Sequence, residues 1–295
     1  MTDITEQVLG QPSAVALGFF DGLHLGHIEV VKRTLLRPGL KSVIFTFNEK
    51  TALPKFKQSK GRCIITHEQK KRLLEKIGVD YIFAPDFSDI KNLSAREFAA
   101  EILKKRLCAE YVVCGYDFRF GKGGEGDPEM LKALCRELGM ECEIVEPVRV
   151  DGEIVSSTEI RRLIRNGEIT RANRLLGYEL SYCLPVIHGS KIGRTIGFPT
   201  INQKIPDYMV QPKNGVYKSW ALVGGKTYRA ITNIGVKPTV GYMGEALMET
   251  HIIGFSGDLY GKCVSVSLRE FLRGEQRFES LDALKRQLSY DKSIF

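Results

Sequence analysis

The sequence contains no run of eighteen apolar residues, and no basic stretch leads into an apolar one near its start. The first absence excludes a membrane-spanning helix and the second argues against a secretory signal, so a cytoplasmic protein without a membrane partner is expected. Among the seven cysteines, at 63, 108, 114, 135, 142, 183 and 263, there is no C-x-x-C pair. Neither a disulfide framework nor a zinc site is implied, and the cysteines read as buried free thiols. Also missing is a clear stripe of aromatics interleaved with Lys and Arg. Tyr217, Trp220 and Tyr228 do not form one, which argues against nucleic acid as a partner.

What is present is a chain of 295 residues, 43% hydrophobic and 26% charged, long enough for two ordinary globular domains. The net charge of +8 is uneven: from Ser181 onward 15 Lys and Arg face 9 Asp and Glu, giving +6, which leaves +2 for the first 180 residues. A basic second half suits nucleic acid or phosphorylated small molecules, and composition does not choose between them.

The densest local signal is Gly18-Phe-Phe-Asp-Gly-Leu-His-Leu-Gly-His27. An apolar run from Ala14 to Leu17 leads into it as a buried strand, and Ile28, Val31 and Leu35 lead out at helical spacing. His24 and His27 therefore stand where a strand hands over to a helix. Unpaired N–H groups and the helix dipole favour anions there, so two imidazoles at this point suit a phosphate better than a metal. Gly22 and Gly26 are expected to let the backbone approach it.

Strand-like runs at 14–19, 42–47, 81–84, 111–115 and 142–145 alternate with helical stretches, which predicts a doubly wound, mostly parallel sheet. Ligands of such sheets bind beyond the carboxyl ends of the strands. Two further segments fall at that edge. The first is Cys114-Gly-Tyr-Asp-Phe-Arg-Phe-Gly-Lys-Gly-Gly-Glu-Gly126, which holds Asp117 and a formal G-x-G-x-x-G at Gly121, Gly123 and Gly126. A dinucleotide-binding module is the rival reading it raises, although five residues separate its first glycine from the strand. The second is Val155-Ser-Ser-Thr-Glu-Ile-Arg161, where a Ser156–Glu159 capping box would place Ser157 and Thr158 in the first helical turn and Arg161 one turn on.

From Pro185 the periodicity changes to alternation, with strand candidates at 185–189, 215–223, 227–233, 247–255 and 263–270 and a closing helix at 280–289. A small antiparallel barrel with a terminal helix is expected, with the domain boundary near 182. In Gly193-Arg-Thr-Ile-Gly-Phe-Pro-Thr-Ile-Asn202, Gly193 and Gly197 permit close approach to phosphate and Arg194 supplies charge. Thr200 and Asn202 offer two oxygen ligands suited to Mg²⁺. Glu249 shares a strand face with Leu247, His251 and Ile253, and a carboxylate on such a face is a candidate general base.

These motifs resemble those of the prokaryotic bifunctional riboflavin kinase/FAD synthetase family across nearly the whole chain. The first half is similar to its FMN adenylyltransferase module, in which FMN phosphate attacks the α-phosphorus of ATP and pyrophosphate leaves. By that resemblance Gly18, Phe19, Asp21, Gly22, Gly26, His24 and His27 form the ATP-phosphate turn. Ser157, Thr158 and Arg161 hold pyrophosphate, and Asp117 lies in a nucleotide-contacting loop. The second half resembles its riboflavin kinase module through 193–202, Asn233-Ile-Gly-Val-Lys-Pro-Thr239, Glu249-Thr-His-Ile252, Asp258-Leu-Tyr-Gly261 and Phe271-Leu-Arg273 with Phe278. There Thr200 and Asn202 bind Mg²⁺ with ATP, and Glu249 deprotonates the terminal hydroxyl of riboflavin. The implied domains are 1–181 for FAD synthesis and 182–295 for the kinase, with riboflavin, FMN, FAD and ATP as partners. Two departures stand out: Phe47-Asn-Glu-Lys-Thr-Ala-Leu-Pro54 replaces the family's Pro-His-Pro, and Gly254 stands where the family often has Asp. The first leaves open a chain with the kinase activity alone.

Overall fold

The computed structural model describes residues 1–47, 62–189, 192–239 and 242–295, with backbone alone at 192, 194, 237–239 and 242–245. The chain divides into two compact units, Met1–Gly61 with Thr66–Ser157, and Arg62–Ile65 with Thr158–Phe295. The change of periodicity marks 182, whereas packing divides the chain at 157/158. The reason is local: in helix Ile169–Leu176, Asn173 donates to the carbonyl of Leu268 on a barrel strand and accepts from the N–H of Leu180.

In the first unit six parallel strands lie in the order Thr2–Asp3, Tyr81–Phe83, Lys41–Phe45, Ser13–Leu17, Ala109–Gly115, Glu141–Val145. Sequence alternation marks the five longer strands and misses the two-residue edge strand. All of Ser13–Leu17 is buried, as a central strand covered on both faces must be. The sheet order reverses between this strand and its neighbour Ala109–Gly115, which puts the ligand crevice of the fold at the carboxyl ends of these two. Helix punctuation follows the sequence. Thr66 and Gln69 cap His67–Ile77 reciprocally and Gly78 ends it at φ 94°, while Ser94 and Glu97 form a second box.

The second unit is a nearly closed antiparallel barrel in the order Ile201–Lys204, Tyr242–Ile252, Lys226–Thr239, Gly215–Val223, Cys263–Arg273, Ser181–Pro185. Between its two edge strands a single bridge, Ile187 N–H to the Asn202 carbonyl at 2.8 Å, replaces a full ladder. The fully buried Gln203 amide completes the closure by donating to the carbonyls of Leu184 (2.6 Å) and Val264 (2.8 Å). Strand Ile201–Lys204 was hidden in the sequence by the glycine-rich run that precedes it. The closing helix is Leu281–Ser293, capped by Ser280, and Leu281 is exposed while Leu284 and Leu288 line a cavity.

Candidate active sites

The turn after Ser13–Leu17 is held in an unusual backbone. Phe20 (φ 51°) and Leu23 (φ 36°) are left-handed although each is buried, and Gly22 joins them at φ 79°. Left-handed backbone at a side-chain-bearing residue costs about 1–2 kcal/mol, and surrounding packing must sustain it. Here the Phe20 ring packs edge-on against His27, with centroids 5.3 Å apart. His24 is the N-cap of helix Leu25–Leu35: its Nδ1 accepts from the His27 N–H at 3.2 Å, which places the proton of the neutral ring on Nε2. The two imidazoles stack with centroids 3.5 Å apart and planes 16° from parallel. The glycines serve this arrangement. A Cβ on Gly26 would lie 3.2 Å from the His24 ring, and one on Gly18 would lie 3.0 Å from the Phe20 ring. Gly26 thus makes room for His24, a nearer purpose than the backbone approach to phosphate expected of it. Ser157 ties the turn down by donating to the Asp21 carbonyl at 2.8 Å.

Lys70, on helix His67–Ile77, was not singled out from the sequence, where it stands with Lys71 and Arg72 and reads as a solvated face. Its side chain is fully buried. The ammonium donates to the Phe19 carbonyl at 2.9 Å and to Thr46 Oγ1 at 3.3 Å, and the Thr46 hydroxyl donates to the same carbonyl at 2.9 Å. The Phe19 ring itself lines a cavity of about 380 Å³ with Phe45, Phe47, Phe87, Phe98 and Phe118. These phenylalanines come from five separate stretches of the chain, so no motif announces the cavity. The segment 48–54, which departs from the family pattern, lies outside the described residues.

The glycine-rich loop closes on itself. Phe120 and Gly126 exchange backbone hydrogen bonds of 3.2 and 2.9 Å, and a Cβ on Gly126 would overlap the Phe120 ring at 2.5 Å. A Cβ on Gly121 would sit 2.8 Å from the Ala95 nitrogen. The helix that follows, Pro128–Glu137, has its N-terminus capped by the Asp127 carboxylate, which accepts from the Met130 N–H at 2.9 Å. A dinucleotide loop needs glycines open to a pyrophosphate and a free helix start. Gly121 and Gly126 instead accommodate protein atoms, and Gly123 alone of the three is open. Asp117 is exposed just beyond the strand end.

Helix Ser157–Asn166 carries the third segment. The Glu159 carboxylate binds Arg162 at 2.6 and 2.8 Å, and that guanidinium holds it below its ordinary pKa. Arg161 Nε donates to the Arg62 carbonyl at 2.8 Å.

In the barrel, pairing register assembles the site. Glu249 stands opposite Asn202 on one side and Asn233 on the other. Fully buried Met248 and Thr250 alternate with half-buried Glu249 and His251, which face a cavity of about 380 Å³. Thr200, Asn202, Arg273 and Phe278 line it too. Asn202 is 7% exposed, and its Oδ1 is buried without a hydrogen-bond donor among the described residues. A Cβ on Gly189 would overlap that amide at 2.4 Å. A second cavity, of about 290 Å³, is lined by Thr200, Thr250, Phe255, Asp258 and Tyr260, so Thr200 borders both. Gly193 closes the turn between them: the Phe198 N–H donates to its carbonyl at 2.8 Å, and a Cβ there would meet Phe198 O at 2.3 Å. Gly197 has φ 82°. The Arg194 side chain lies outside the described residues.

Arg273 and Asp291 form a pair the sequence did not reveal. The guanidinium donates from Nη2 and Nε to a carboxylate 1% exposed, at 2.7 and 3.2 Å, and Gln287 donates to the same group at 2.9 Å. This fastens the terminal helix, whose Leu284 and Leu288 form part of the cavity wall.

Two unlike units, one with two stacked histidines at a helix start beside a sheet crevice and one with paired cavities around a carboxylate, fit a transferase of nucleotide-dependent phosphate chemistry. Comparison with known proteins resolves the class. Residues 7–159 match the model of the FAD synthetase family and residues 176–295 that of riboflavin kinase. The bifunctional riboflavin kinase/FMN adenylyltransferase of Escherichia coli K12 is 35% identical over 284 residues, covering 94% of this chain and 90% of that protein. The Bacillus subtilis protein of the same name is 32% identical over 289 residues, 95% of this chain and 90% of its own length. A crystal structure from Streptococcus pneumoniae, described as a macrolide-efflux protein, superposes with a TM-score of 0.89 at 33% identity and covers 99% of this chain and 97% of that one. Among the described residues no helix is long and apolar enough to cross a membrane. The chain belongs to the bifunctional riboflavin kinase/FMN adenylyltransferase family.

Proposed function

We infer that this enzyme makes both flavin cofactors: riboflavin and ATP give FMN, and FMN and a second ATP give FAD and pyrophosphate. The observation that carries the kinase half is the pair of cavities meeting at Thr200. We assign the one lined by Phe255, Asp258 and Tyr260 to the nucleotide and the one lined by Glu249, Arg273 and Phe278 to riboflavin, which puts transfer at their junction. Glu249 accepts the proton of the terminal ribityl hydroxyl as that oxygen bonds to the γ-phosphorus and the bond from the γ-phosphorus to ADP breaks, releasing ADP. Thr200 and Asn202 fit a divalent cation, because the Asn202 Oδ1 is an acceptor buried without a donor. We take Mg²⁺ as that ion; when bound it neutralises charge on the transferring phosphoryl group. Gly193, Arg194 and Gly197 shape the phosphate loop.

In the first half, a phosphate oxygen of FMN forms a bond to the α-phosphorus of ATP as the bond to pyrophosphate breaks. With no covalent intermediate, catalysis is positioning and charge stabilisation. His24 and His27, presented by the turn Gly18, Phe19, Asp21, Gly22 and Gly26, serve the ATP phosphates. Ser157, Thr158 and Arg161 serve the leaving pyrophosphate, and Asp117 lies in the nucleotide-contacting loop. The phenylalanine cavity suits a flat isoalloxazine ring. We assign FAD synthesis to residues 1–181 and the kinase to 182–295, with helix Ser157–Asn166 belonging by chemistry to the first. Matches to both domain models disfavour a chain with one activity, and the occupied space beside Gly121 and Gly126 together with the Asp127 cap disfavours a dinucleotide module. Seven free cysteines, with Cys114 pushed up to about 12 by burial, suit the reducing cytoplasm.

Chromatography of the flavins formed from riboflavin, ATP and Mg²⁺ tests the reading. FMN followed by FAD is expected, and FMN alone would remove the second activity.

A further inference from the structure

The kinase site contains a polar group with no role in the account above. Strand Ile201–Lys204 pairs with Tyr242–Ile252, and Ile201 opposite Thr250 is the last matched pair. One step further the ladder would need a donor toward Pro199, where a backbone bond no longer forms. There the His251 Nδ1 lies 2.9 Å from the Pro199 carbonyl. A carbonyl only accepts, so Nδ1 carries the hydrogen and the neutral ring keeps its lone pair on Nε2. The ring is half-buried and packs against Phe198, with centroids 5.2 Å apart. Phe198 is itself held by its N–H bond to Gly193. The residues before Thr200 are thus fixed from two sides, and one of those ties comes from the strand that carries Glu249.

We propose that His251 is a positioning residue of the kinase: its Nδ1–H holds the Pro199 carbonyl so that the Thr200 hydroxyl stays in register with Asn202 and Glu249 for a divalent cation and its nucleotide. The inference rests on the kinase reading and deepens it. His251 touches no reacting atom in this role. What it supplies is a fixed distance between the strand of the general base and the segment that carries a metal ligand.

Two isosteres separate this role from mere packing. In His251→Asn the side-chain amide nitrogen takes the place of Nδ1; in His251→Gln it reaches the place of Nε2. The concentration of Mg²⁺ giving half-maximal FMN formation, and the affinity for Mg·ADP measured by calorimetry, are compared with FAD formation from supplied FMN in the same preparations. His251→Asn is expected to stay within about twofold of the unsubstituted chain. His251→Gln and His251→Ala are expected to need about tenfold more Mg²⁺ and to bind Mg·ADP about tenfold more weakly, the scale of one lost hydrogen bond. FAD formation is expected to be unchanged in all three. In metal-free protein, imidazole ¹⁵N spectra are expected to show His251 protonated on Nδ1. The proposal is overturned if Asn falls with Gln and Ala, if Ala matches the unsubstituted chain, or if Nδ1 is bare. Absence of FMN formation by the unsubstituted chain would instead overturn the kinase reading itself.

Discussion

The two units build the sites proposed for their phosphate chemistry in opposite ways. In the parallel-sheet unit the site is a strained, contiguous turn: ten residues carry the two stacked imidazoles, the left-handed Phe20 and Leu23, and the glycines that make room for the rings. In the barrel the site is a face. Asn202, Asn233, Glu249, His251 and Arg273 come from four strands and meet through register alone. A turn stores its geometry locally and fails locally, whereas a face depends on whatever holds distant strands and the terminal helix together. Damage to one unit is therefore expected to leave the chemistry of the other intact.

The largest test of that contrast is Asp291→Ala. It strands the Arg273 guanidinium beside a cavity wall, and loss of a buried partner of this kind costs about 3–5 kcal/mol. Calorimetry is expected to show the barrel transition shifted down, with riboflavin bound more weakly and FAD formation from FMN retained. Next comes Lys70→Met, which removes the ammonium from the Phe19 carbonyl and Thr46. A loss of about 2 kcal/mol is expected in the first unit, with FAD formation at least tenfold slower and FMN formation unchanged in a product-resolved assay. Gly26→Ala is smaller. Its Cβ presses on the His24 ring at 3.2 Å and loosens a cap worth about 1 kcal/mol, so FAD formation is expected to fall several-fold. The smallest is Gly254→Asp, which restores the residue common in the family. Gly254 sits at φ 74° with nothing near its missing Cβ, so a cost of about 1 kcal/mol or less and an unchanged kinase rate are expected from melting and turnover.

The same contrast explains what the sequence made legible. The turn 18–27 could be placed between a strand and a helix because its residues are contiguous, and the parallel sheet because strand-like runs alternate with helical stretches, several of them capped. Glu249 could be placed as a carboxylate on a strand face with Leu247 and Ile253, and strand Cys263–Arg273 was legible by the alternation of Val264, Val266 and Leu268. Lys70 was not, since burial of its stem and head depends on Phe19 and Thr46, far away in the chain. Nor were the phenylalanine cavity and the Arg273–Asp291 pair, which exist only once separate elements pack. The rival reading of the glycine-rich loop fails for a related reason: spacing reports glycines but not what occupies the space they leave, which is the Ala95 backbone at Gly121 and the Phe120 ring at Gly126.

The most direct test of two separate sites measures both activities in each of two variants, with circular dichroism confirming the fold. His27→Ala is expected to convert riboflavin to FMN at the unsubstituted rate and to form no FAD. Glu249→Gln is expected to slow FMN formation by about 10²–10⁴ while converting supplied FMN to FAD normally. A folded variant of either kind that loses both activities would contradict the account.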